Sequence, residues 1–508
     1  MGVGSPPAVD PAPAPSFRPL QAIVALGGIQ ALTMLAGLAR TKVLAVLLGP
    51  AGVGVASVVD QVVSLVAQLG SLSIPFVALK FLSRTRDESP DETRRVYNAL
   101  VLLLLLASVT SASIATVVAV VWPSTFGDGL APYRSVLIVA LAGVPAFALV
   151  PLLRNAMAAL ERHRESALAA FFAAVLTVGG AAVGVMSGGL VGLFVANAIV
   201  LVITIVGMQW YLGRSVGLGL SSNTSASTAA VALRSQPGLT SFAGSMYVLA
   251  LTSPLAYLFA RSILLSTHGA EEAGLVAAAY GIGVSIRLVL NQANGLYLTP
   301  LVNRNTPKGE RIAAVAEYLR ILIVLVVLST LVCVLFPAQW IALLYSPKFG
   351  GAVSLVAVFV LAEAVLLVAG VYQALLIGFD DISGFLVCTV AGQLLTIALT
   401  RWLVASDGGM GVGIAFLAGN GVILIATAVR LLTRHAATRV VAPVVLLVIA
   451  LGATTAAGWW ATRTPGAAPM WRAAVYVAAC GVALVFLRPE ERRWMIRPWR
   501  APASARAR

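Results

Sequence analysis

Long apolar stretches separated by short polar connections dominate the sequence. Fourteen segments reach about 20 residues, the length that a helix needs to cross the hydrocarbon core of a bilayer. They lie near 20–44, 52–80, 97–121, 134–156, 166–187, 189–212, 240–264, 274–299, 316–337, 353–378, 382–402, 410–431, 440–460 and 470–487. The pattern predicts an all-α integral membrane protein with about fourteen transmembrane helices.

Composition strengthens this interpretation. Hydrophobic residues make up 59% of the 508 residues and charged residues only 10%, whereas a soluble domain carries about 25% charged residues. Most of the chain therefore has no water to face. We expect no nucleic-acid partner, because the net charge of +15 fits the flanks of membrane helices and an anionic lipid surface.

The sequence gives no sign of a metal, a cofactor or an ATPase. The three cysteines and three histidines are scattered along the chain, without the spacing of metal ligands. No segment follows the G-x-x-x-x-G-K-[ST] pattern that cradles nucleotide phosphates. We therefore expect no cofactor and no enzyme activity from this chain.

Basic residues predict the orientation of the helices. With the N-terminus in the cytosol, the inner loops hold sixteen lysines and arginines and the outer loops eight, as the positive-inside rule requires. The basic stretch 488–508 also falls inside. We therefore expect a multi-pass protein of the bacterial cytoplasmic membrane with both termini cytosolic. One inner loop, Asp380–Asp381, is acidic and goes against this trend.

The longest polar connection, rich in Ser, Thr and Gly, divides the chain into two blocks of helices. We predict the following organisation: a disordered cytosolic tail over 1–19, an N-lobe over 20–213, a linker over 214–239, a C-lobe over 240–432, two further helices over 433–487 and a basic cytosolic tail over 488–508.

An internal repeat relates the two lobes at an offset of about 220 residues. "LARTKVLAVLLGPAGVG" (38–54) matches "FARSILLSTHGAEEAGL" (259–275), and "GLFVANAIVLVITIV" (192–206) parallels "AFLAGNGVILIATAV" (415–429). Two repeats of six helices keep the same orientation, as in transporters whose lobes are related by an axis along the membrane normal. Low-complexity similarity between apolar helices is the alternative origin of these matches.

Several arginines lie within predicted membrane helices, where a charge is energetically unfavourable. A charge inside the bilayer costs at least about 2.5 kcal/mol, so such a residue usually faces a cavity. Arg40 and Arg261 occupy equivalent points of the two repeats, and Arg287 falls near the midplane on a polar stripe with Asn291 and Asn294. We predict that these five residues line a cationic lumen for an anionic, phosphate-bearing substrate, because a guanidinium suits phosphate.

The same charges also allow purely structural roles. Arg40, Lys42 and Arg261 could snorkel to the outer interface, which is our interpretation of Lys42. Arg287 could form a structural ion pair with Asp60 or Glu363. Glu363, also near the midplane, is the better candidate for a coupling-ion site, because burial favours its protonation. Asp60 is the second candidate.

The chain resembles the polysaccharide transporter family, the O-antigen and exopolysaccharide flippase branch of the multidrug/oligosaccharidyl-lipid/polysaccharide exporter superfamily. "GLARTKVLAVLLGPAGVG" (37–54) is similar to the first two helices of that family, and "LYSPKFGGAVSLVAVFVLAEAVLLVAGVYQALLIGFDD" (344–381) to its ninth and tenth helices. The resemblance spans most of residues 20–435. By motif position, Arg40 matches a lumenal arginine of the related lipid II flippases.

The resemblance implies two six-helix lobes, often with two more helices, around a cationic lumen. It implies a flippase that moves an undecaprenyl-pyrophosphate-linked oligosaccharide, an O-antigen or exopolysaccharide repeat unit, to the outer leaflet by alternating access. Its partners would be membrane lipids, this polyprenyl-linked glycan and the polymerase and chain-length machinery of polysaccharide synthesis.

Two other functions stay open from the sequence. A cation-coupled multidrug exporter of the same superfamily would need an acidic or aromatic lumen, and the arginines argue against it. A multipass glycosyltransferase or ligase would need a catalytic carboxylate on a large outer loop. The outer loops around Asp128, Glu271, Glu272 and Asp407 are short.

Overall fold

The computed structural model of the chain describes residues 18–85, 90–218, 239–294, 298–302, 307–463 and 469–486. Throughout these ranges the regular structure is helical, and no strand occurs in them. Nine helices in the described ranges are long and apolar enough to cross a membrane. The prediction of an all-α, multi-pass membrane protein is confirmed.

The described ranges contain fourteen α-helices. They are α1 (Arg18–Ser71), α2 (Ile74–Thr85), α3 (Pro90–Val121), α4 (Arg134–Ala142), α5 (Val144–Ala159), α6 (His163–Val216), α7 (Leu239–Ala293), α8 (Thr299–Val302), α9 (Lys308–Leu335), α10 (Pro337–Leu344), α11 (Val353–Gly378), α12 (Ile382–His435), α13 (Val441–Arg463) and α14 (Pro469–Phe486). Short 3₁₀ turns occupy Pro123–Phe126, Asp128–Tyr133, Pro347–Ala352 and Thr438–Val440.

Four of these helices contain a glycine break. The breaks fall at Gly49 in α1, Gly188–Gly189 in α6, Gly269 in α7 and Gly408 in α12. Gly49, Gly189, Gly269 and Gly408 have positive φ, where a residue with a Cβ atom is strained. Each of these four helices therefore consists of two limbs that meet at the glycine break.

Two of the broken helices fold back on themselves. In α6, Gly184 lies against the backbone of Gly192, and in α12, Gly392 lies against the backbone of Gly419. Each pair spans its own break, so the two limbs run antiparallel. The nine long helices therefore do not equal the number of membrane crossings, and the count of fourteen crossings stays a prediction.

The breaks also reveal the repeat. Gly49 (φ 66°, ψ −176°) and Gly269 (φ 86°, ψ −179°) share one backbone conformation. Gly189 (φ 56°, ψ −134°) and Gly408 (φ 52°, ψ −127°) share another. The members of each pair are separated by about the predicted offset of 220 residues. The two lobes are thus copies of one helical plan in the same orientation.

The lobes meet most closely at the end of the bundle that carries the four breaks, which we call the glycine end. A Cβ atom on Gly54 would overlap the carbonyl oxygen of Ala270, and one on Gly274 would overlap that of Pro50. The contact is reciprocal, as expected where equivalent surfaces meet across a twofold axis. Here α1 and α7 touch backbone to backbone.

Side chains add to this contact between the lobes. Lys42 Nζ on α1 donates to the carbonyl oxygen of Ala342 in α10 at 2.6 Å. Ser262 Oγ on α7 donates to the carbonyl oxygen of Phe126 at 2.5 Å. The ammonium of Lys42 thus satisfies a carbonyl in the last turn of a C-lobe helix. The interpretation of Lys42 as a snorkelling residue stays a prediction.

The opposite end, where residues 218 and 239 flank the undescribed linker, is called the linker end. A hydrogen bond of 2.9 Å from Tyr247 Oη to the carbonyl oxygen of Leu69 joins the lobes there. The linker segment 219–238 and the terminal segments 1–17 and 487–508, which carry the predicted tails, lie outside the described residues. The predicted domain boundaries therefore stay predictions.

The acidic turn at the linker end has a structural role. Asp381 precedes α12 and accepts the N–H of Gly384 at 3.0 Å. Arg430, on the other limb of α12, donates twice to the same carboxylate, at 2.8 and 2.9 Å. This guanidinium holds the pKa of Asp381 well below its usual range. Asp381, one of the two acids that go against the positive-inside pattern, is thus paired with Arg430 and joins the two limbs of α12.

The glycine contact predicts a specific defect. In the variant Gly54→Ala, the added methyl group would overlap the carbonyl oxygen of Ala270, so α1 and α7 must move apart. We expect a loss of about 1–3 kcal/mol, the usual cost of overpacking, measured as a lower midpoint of thermal unfolding in detergent. Gly37→Ala, where a Cβ meets nothing within 4 Å, is the matched control. Equal midpoints for the two variants would contradict this contact.

Candidate functional site

A cavity of about 360 Å³ opens inside the N-lobe. Helices α1, α4, α5 and α6 contribute its walls, together with the turn at Gly143. The lining residues are Arg40, Asp60, Val63, Ala140, Gly143, Phe147, Thr177, Phe194, Asn197, Ala198 and Leu201. The cavity therefore combines an apolar surface with one cation, one anion and two neutral polar groups, a composition typical of ligand pockets.

Arg40 is the cation of this cavity. It is half-buried, and its Nε atom is buried with no hydrogen-bond partner among the described residues. The Oδ1 atom of Asn197 is in the same state. Buried polar groups are rarely left unsatisfied unless water or a ligand completes them. A polar ligand in the cavity would satisfy both.

Asp60 faces the same cavity from the other limb of α1. Its side chain is exposed, and it lies within electrostatic range of both Arg40 and Arg261. One turn earlier on the same helix, the carbonyl oxygen of Ser57 accepts a hydrogen bond from Arg261 Nη1 at 3.1 Å. Asp60 therefore lies between the arginines of the two lobes.

Arg261 bridges the lobes. Its guanidinium carbon also lies 5.1 Å from the centre of the Tyr280 ring, a distance that permits a cation–π interaction. Arg261 thus contacts the N-lobe backbone and a C-lobe aromatic ring at once. Arg40 and Arg261, which the repeat predicts to be equivalent, both lie within electrostatic range of Asp60.

Arg287 forms an ion pair with Glu363. The Glu363 side chain is only 2% exposed and that of Arg287 is 27% exposed. Of the two acids proposed as structural partners for Arg287, the structure selects Glu363. The second carboxylate oxygen of Glu363, Oε1, is buried and has no hydrogen-bond partner among the described residues.

An aromatic cluster surrounds this ion pair. Tyr257, Tyr280, Phe359 and Phe416 pack together with ring centres 4.9–6.2 Å apart. The backbone of Gly283 lies close to Glu363, and a Cβ there would fall 3.0 Å from Glu363 Cγ. The carboxylate is buried beside this cluster, whereas the guanidinium is partly accessible.

The two asparagines of the predicted polar stripe differ in exposure. Asn291 is exposed, whereas Asn294 is buried. Asn294 Nδ2 donates to Asn291 Oδ1 at 3.0 Å, and Tyr318 Oη donates to Asn294 Oδ1 at 2.5 Å. Asn294 is therefore engaged with α9 inside the C-lobe, and Asn291 is the member of the pair that is accessible.

The structure adds residues that the sequence did not single out as site residues. Asn197 and Thr177 line the N-lobe cavity, and Tyr257 packs beside Tyr280 near the ion pair. Asn197 had one visible signal, since it is a polar residue in an apolar run that matches Asn420 of the second repeat. In the described ranges, no three His, Cys, Asp or Glu side chains are grouped to hold a metal ion.

Taken together, these residues form a band of charge that runs from the N-lobe cavity, across the lobe contact at Arg261, to the ion pair in the C-lobe. Three guanidiniums, of Arg40, Arg261 and Arg287, share the band with two carboxylates. Glu363 already pairs with Arg287, and Asp60 lies in the field of the other two arginines. The net effect is cationic, which favours an anionic ligand with several acceptor oxygens.

The buried pair predicts a non-additive pattern of stability. Glu363→Gln leaves Arg287 without its counter-ion and should cost about 3 kcal/mol, the lower end for breaking a buried pair, since Arg287 is partly accessible. The double variant Glu363→Gln/Arg287→Met removes both charges and should regain most of that loss. Thermal unfolding of wild type, Glu363→Gln, Arg287→Met and the double variant in one detergent measures this. A double variant as unstable as the sum of both single changes would contradict the pairing.

Known proteins resemble the chain along most of its length. No protein-family model matches the sequence. The lipid III flippases of Escherichia coli (strain K12) and Shigella flexneri are each 23% identical to it over 385 residues, which cover 75% of this chain and 91% of the relative.

Solved structures show the same fold. The lipid II flippase MurJ in an inward closed conformation aligns with a TM-score of 0.63 at 11% identity, over 91% of this chain and 98% of that chain. An inward-facing multidrug resistance MATE transporter of the MOP superfamily aligns with a TM-score of 0.62 at 15% identity, over 80% of this chain and 95% of that chain.

These relatives are all transporters, and none is an enzyme. They agree with the resemblance seen in the sequence and with the prediction that the chain is not an enzyme. The chain thus has the repeated two-lobe fold of these transporters and is similar to the lipid III flippases along three quarters of its length.

Proposed function

We propose that this protein is a flippase that moves an undecaprenyl-pyrophosphate-linked oligosaccharide, an O-antigen or exopolysaccharide repeat unit, across the bacterial inner membrane. The observation that carries the proposal is the band of three arginines that runs from the N-lobe cavity across the lobe contact into the C-lobe. The lipid III flippase relatives support a lipid-linked glycan as the substrate class.

The arginines provide the chemistry that such a headgroup needs. A pyrophosphate offers several acceptor oxygens, and a guanidinium donates two parallel hydrogen bonds to a pair of them. Arg40 lines a cavity large enough for polar groups, and Arg261 stands across the lobe contact from it. The polyprenyl tail would stay in lipid between the lobes while the headgroup crosses.

The repeat supports alternating access. The lobes touch through Gly54 and Gly274 at the glycine end and through Tyr247 at the linker end. Rocking one lobe against the other would break one set of contacts while keeping the other. With both termini in the cytosol, the glycine end faces outward, and this contact would be the outer gate.

The membrane potential assists export. The cytosol is negative, so carrying an anion outward is downhill by about 2.3 kcal/mol per charge per 100 mV.

A cation that resets the empty carrier would need an accessible acid. Asp60 is exposed in the cavity, whereas Glu363 is buried and paired, so Asp60 becomes the stronger of the two coupling candidates. A partnership with polysaccharide polymerase and chain-length machinery fits the same role.

Reconstitution tests the proposed function. Purified protein in liposomes should move a fluorescent polyprenyl-pyrophosphate sugar between leaflets, and Arg40→Ala and Arg287→Ala should reduce the rate by about tenfold or more. A lost charge-assisted hydrogen bond of about 1.5–3 kcal/mol corresponds to that factor. Leaflet-selective quenching of the fluorophore measures the rate.

The matched control is Arg401→Ala, which removes an exposed arginine at the glycine end and should leave transport unchanged. Folded wild-type protein that moves no substrate with a membrane potential applied would overturn the flippase assignment. Export of a cationic dye that is insensitive to Arg287→Ala would point instead to a multidrug exporter.

The coupling acid has its own signature. If Asp60 takes up the coupling cation, Asp60→Asn should abolish the dependence of the transport rate on pH or on sodium. Glu363→Gln, which removes a carboxylate already neutralised by Arg287, should keep that dependence while lowering stability. The same liposome assay at several pH values and sodium concentrations separates them. The reverse pattern would assign the role to Glu363.

A further inference from the structure

One face of α5 continues the wall of the N-lobe cavity towards the linker end. Gly143 and Phe147 line the cavity. Phe147, Pro151 and Arg154 are exposed, while Leu152 and Leu153 on the opposite face are buried. Their spacing of four and three residues places the exposed side chains on one stripe of the helix. Arg154 therefore lies two turns, about 10 Å, from the cavity wall at Phe147.

Arg154 has no structural partner in the part of the chain that the structure describes. No hydrogen bond or ion pair to it is found there, although the next residue, Asn155, donates to the carbonyl oxygen of Pro75 at 2.8 Å. Helical side chains lean towards the N-terminus of their helix. In α5 this direction leads from Arg154 along the helix towards Phe147, which lines the cavity of Arg40.

A second hollow lies at the other end of this stripe. It has a volume of about 420 Å³, and Ala158, one turn beyond Arg154, is part of its wall. Lys80 and Ser83 of α2 and Glu161 of the following turn also line it. The stripe thus connects an open groove at the linker end with the enclosed cavity, and basic residues occur at each stage: Lys80, Arg154 and Arg40.

Topology alone does not explain Arg154. The sequence placed it among the inner-loop charges that set orientation, but α5 continues to Ala159, so Arg154 lies inside the helix. An arginine at that depth needs water, a carboxylate or an anion. With no carboxylate paired to it in the described residues, an anion is the ligand that fits this exposed guanidinium.

We propose that Arg154 forms a first phosphate-binding station towards the linker end, from which the headgroup of a phosphate-bearing lipid passes to Arg40. This rests on the proposed function, because it supplies the receiving step of the same path. A ladder of cations lets the headgroup exchange one guanidinium for the next, so that no single step leaves the phosphate without a partner.

The receiving role predicts a particular kinetic split. Arg154→Ala should raise the half-saturating concentration of a polyprenyl-pyrophosphate sugar about tenfold, a factor equal to about 1.4 kcal/mol, and change the maximal rate little. Arg154→Lys, which keeps the charge but loses the fork, should fall between. Arg164→Ala, which removes an exposed arginine at the same end, should behave as wild type in the liposome assay.

Binding in nanodiscs separates this proposal from the proposed function. A polyprenyl pyrophosphate should bind wild type and Arg164→Ala alike and bind Arg154→Ala about tenfold more weakly. Binding with this pattern, but no transport by wild type, would sink the flippase assignment and keep the site. Transport by wild type with identical half-saturation for Arg154→Ala and Arg164→Ala would overturn the site alone. Equal competition by phosphatidylglycerol would make it a general phospholipid site and also overturn the receiving role.

Discussion

Arginine in a low-dielectric bilayer must be hydrated, paired or bound to an anion, and this constraint organises the site. Arg287 meets it with the buried carboxylate of Glu363. Arg261 meets it with a carbonyl oxygen of the other lobe and an aromatic face. Arg40 and Arg154 have no hydrogen bond or ion pair among the described residues. Arg40 lines the N-lobe cavity, and Arg154 lies on the helix stripe that continues the wall of that cavity. The two unpaired arginines mark where an anionic ligand contributes most.

The same constraint links the site to the lobe contact. Arg261 reaches the N-lobe backbone only because α1 and α7 approach each other through Gly54 and Gly274. Larger residues there would separate the helices and withdraw the guanidinium from Ser57 and the neighbourhood of Asp60. A movement of the lobes therefore changes the charge around Asp60 directly. The bound anion and the contact between the lobes would both act on Arg261.

Part of this arrangement could be predicted from the sequence. The offset of the repeat, the equivalence of Arg40 and Arg261 and the shared depth of Arg287 and Glu363 follow from helical spacing. Pairing could not be predicted, because which carboxylate faces Arg287 depends on how α7 and α11 pack. The surroundings of Lys42 and Arg154 could not be predicted either, because only the neighbouring helices show what their side chains meet.

Selective binding tests most directly whether the lumen is built for a phosphate. Native mass spectrometry of the purified protein should be run with a polyprenyl pyrophosphate and with the corresponding uncharged polyprenol, on wild type and on Arg40→Ala. A cationic path predicts that wild type retains the pyrophosphate far better than the alcohol and that the variant loses this preference. Equal retention of both lipids by wild type would contradict it.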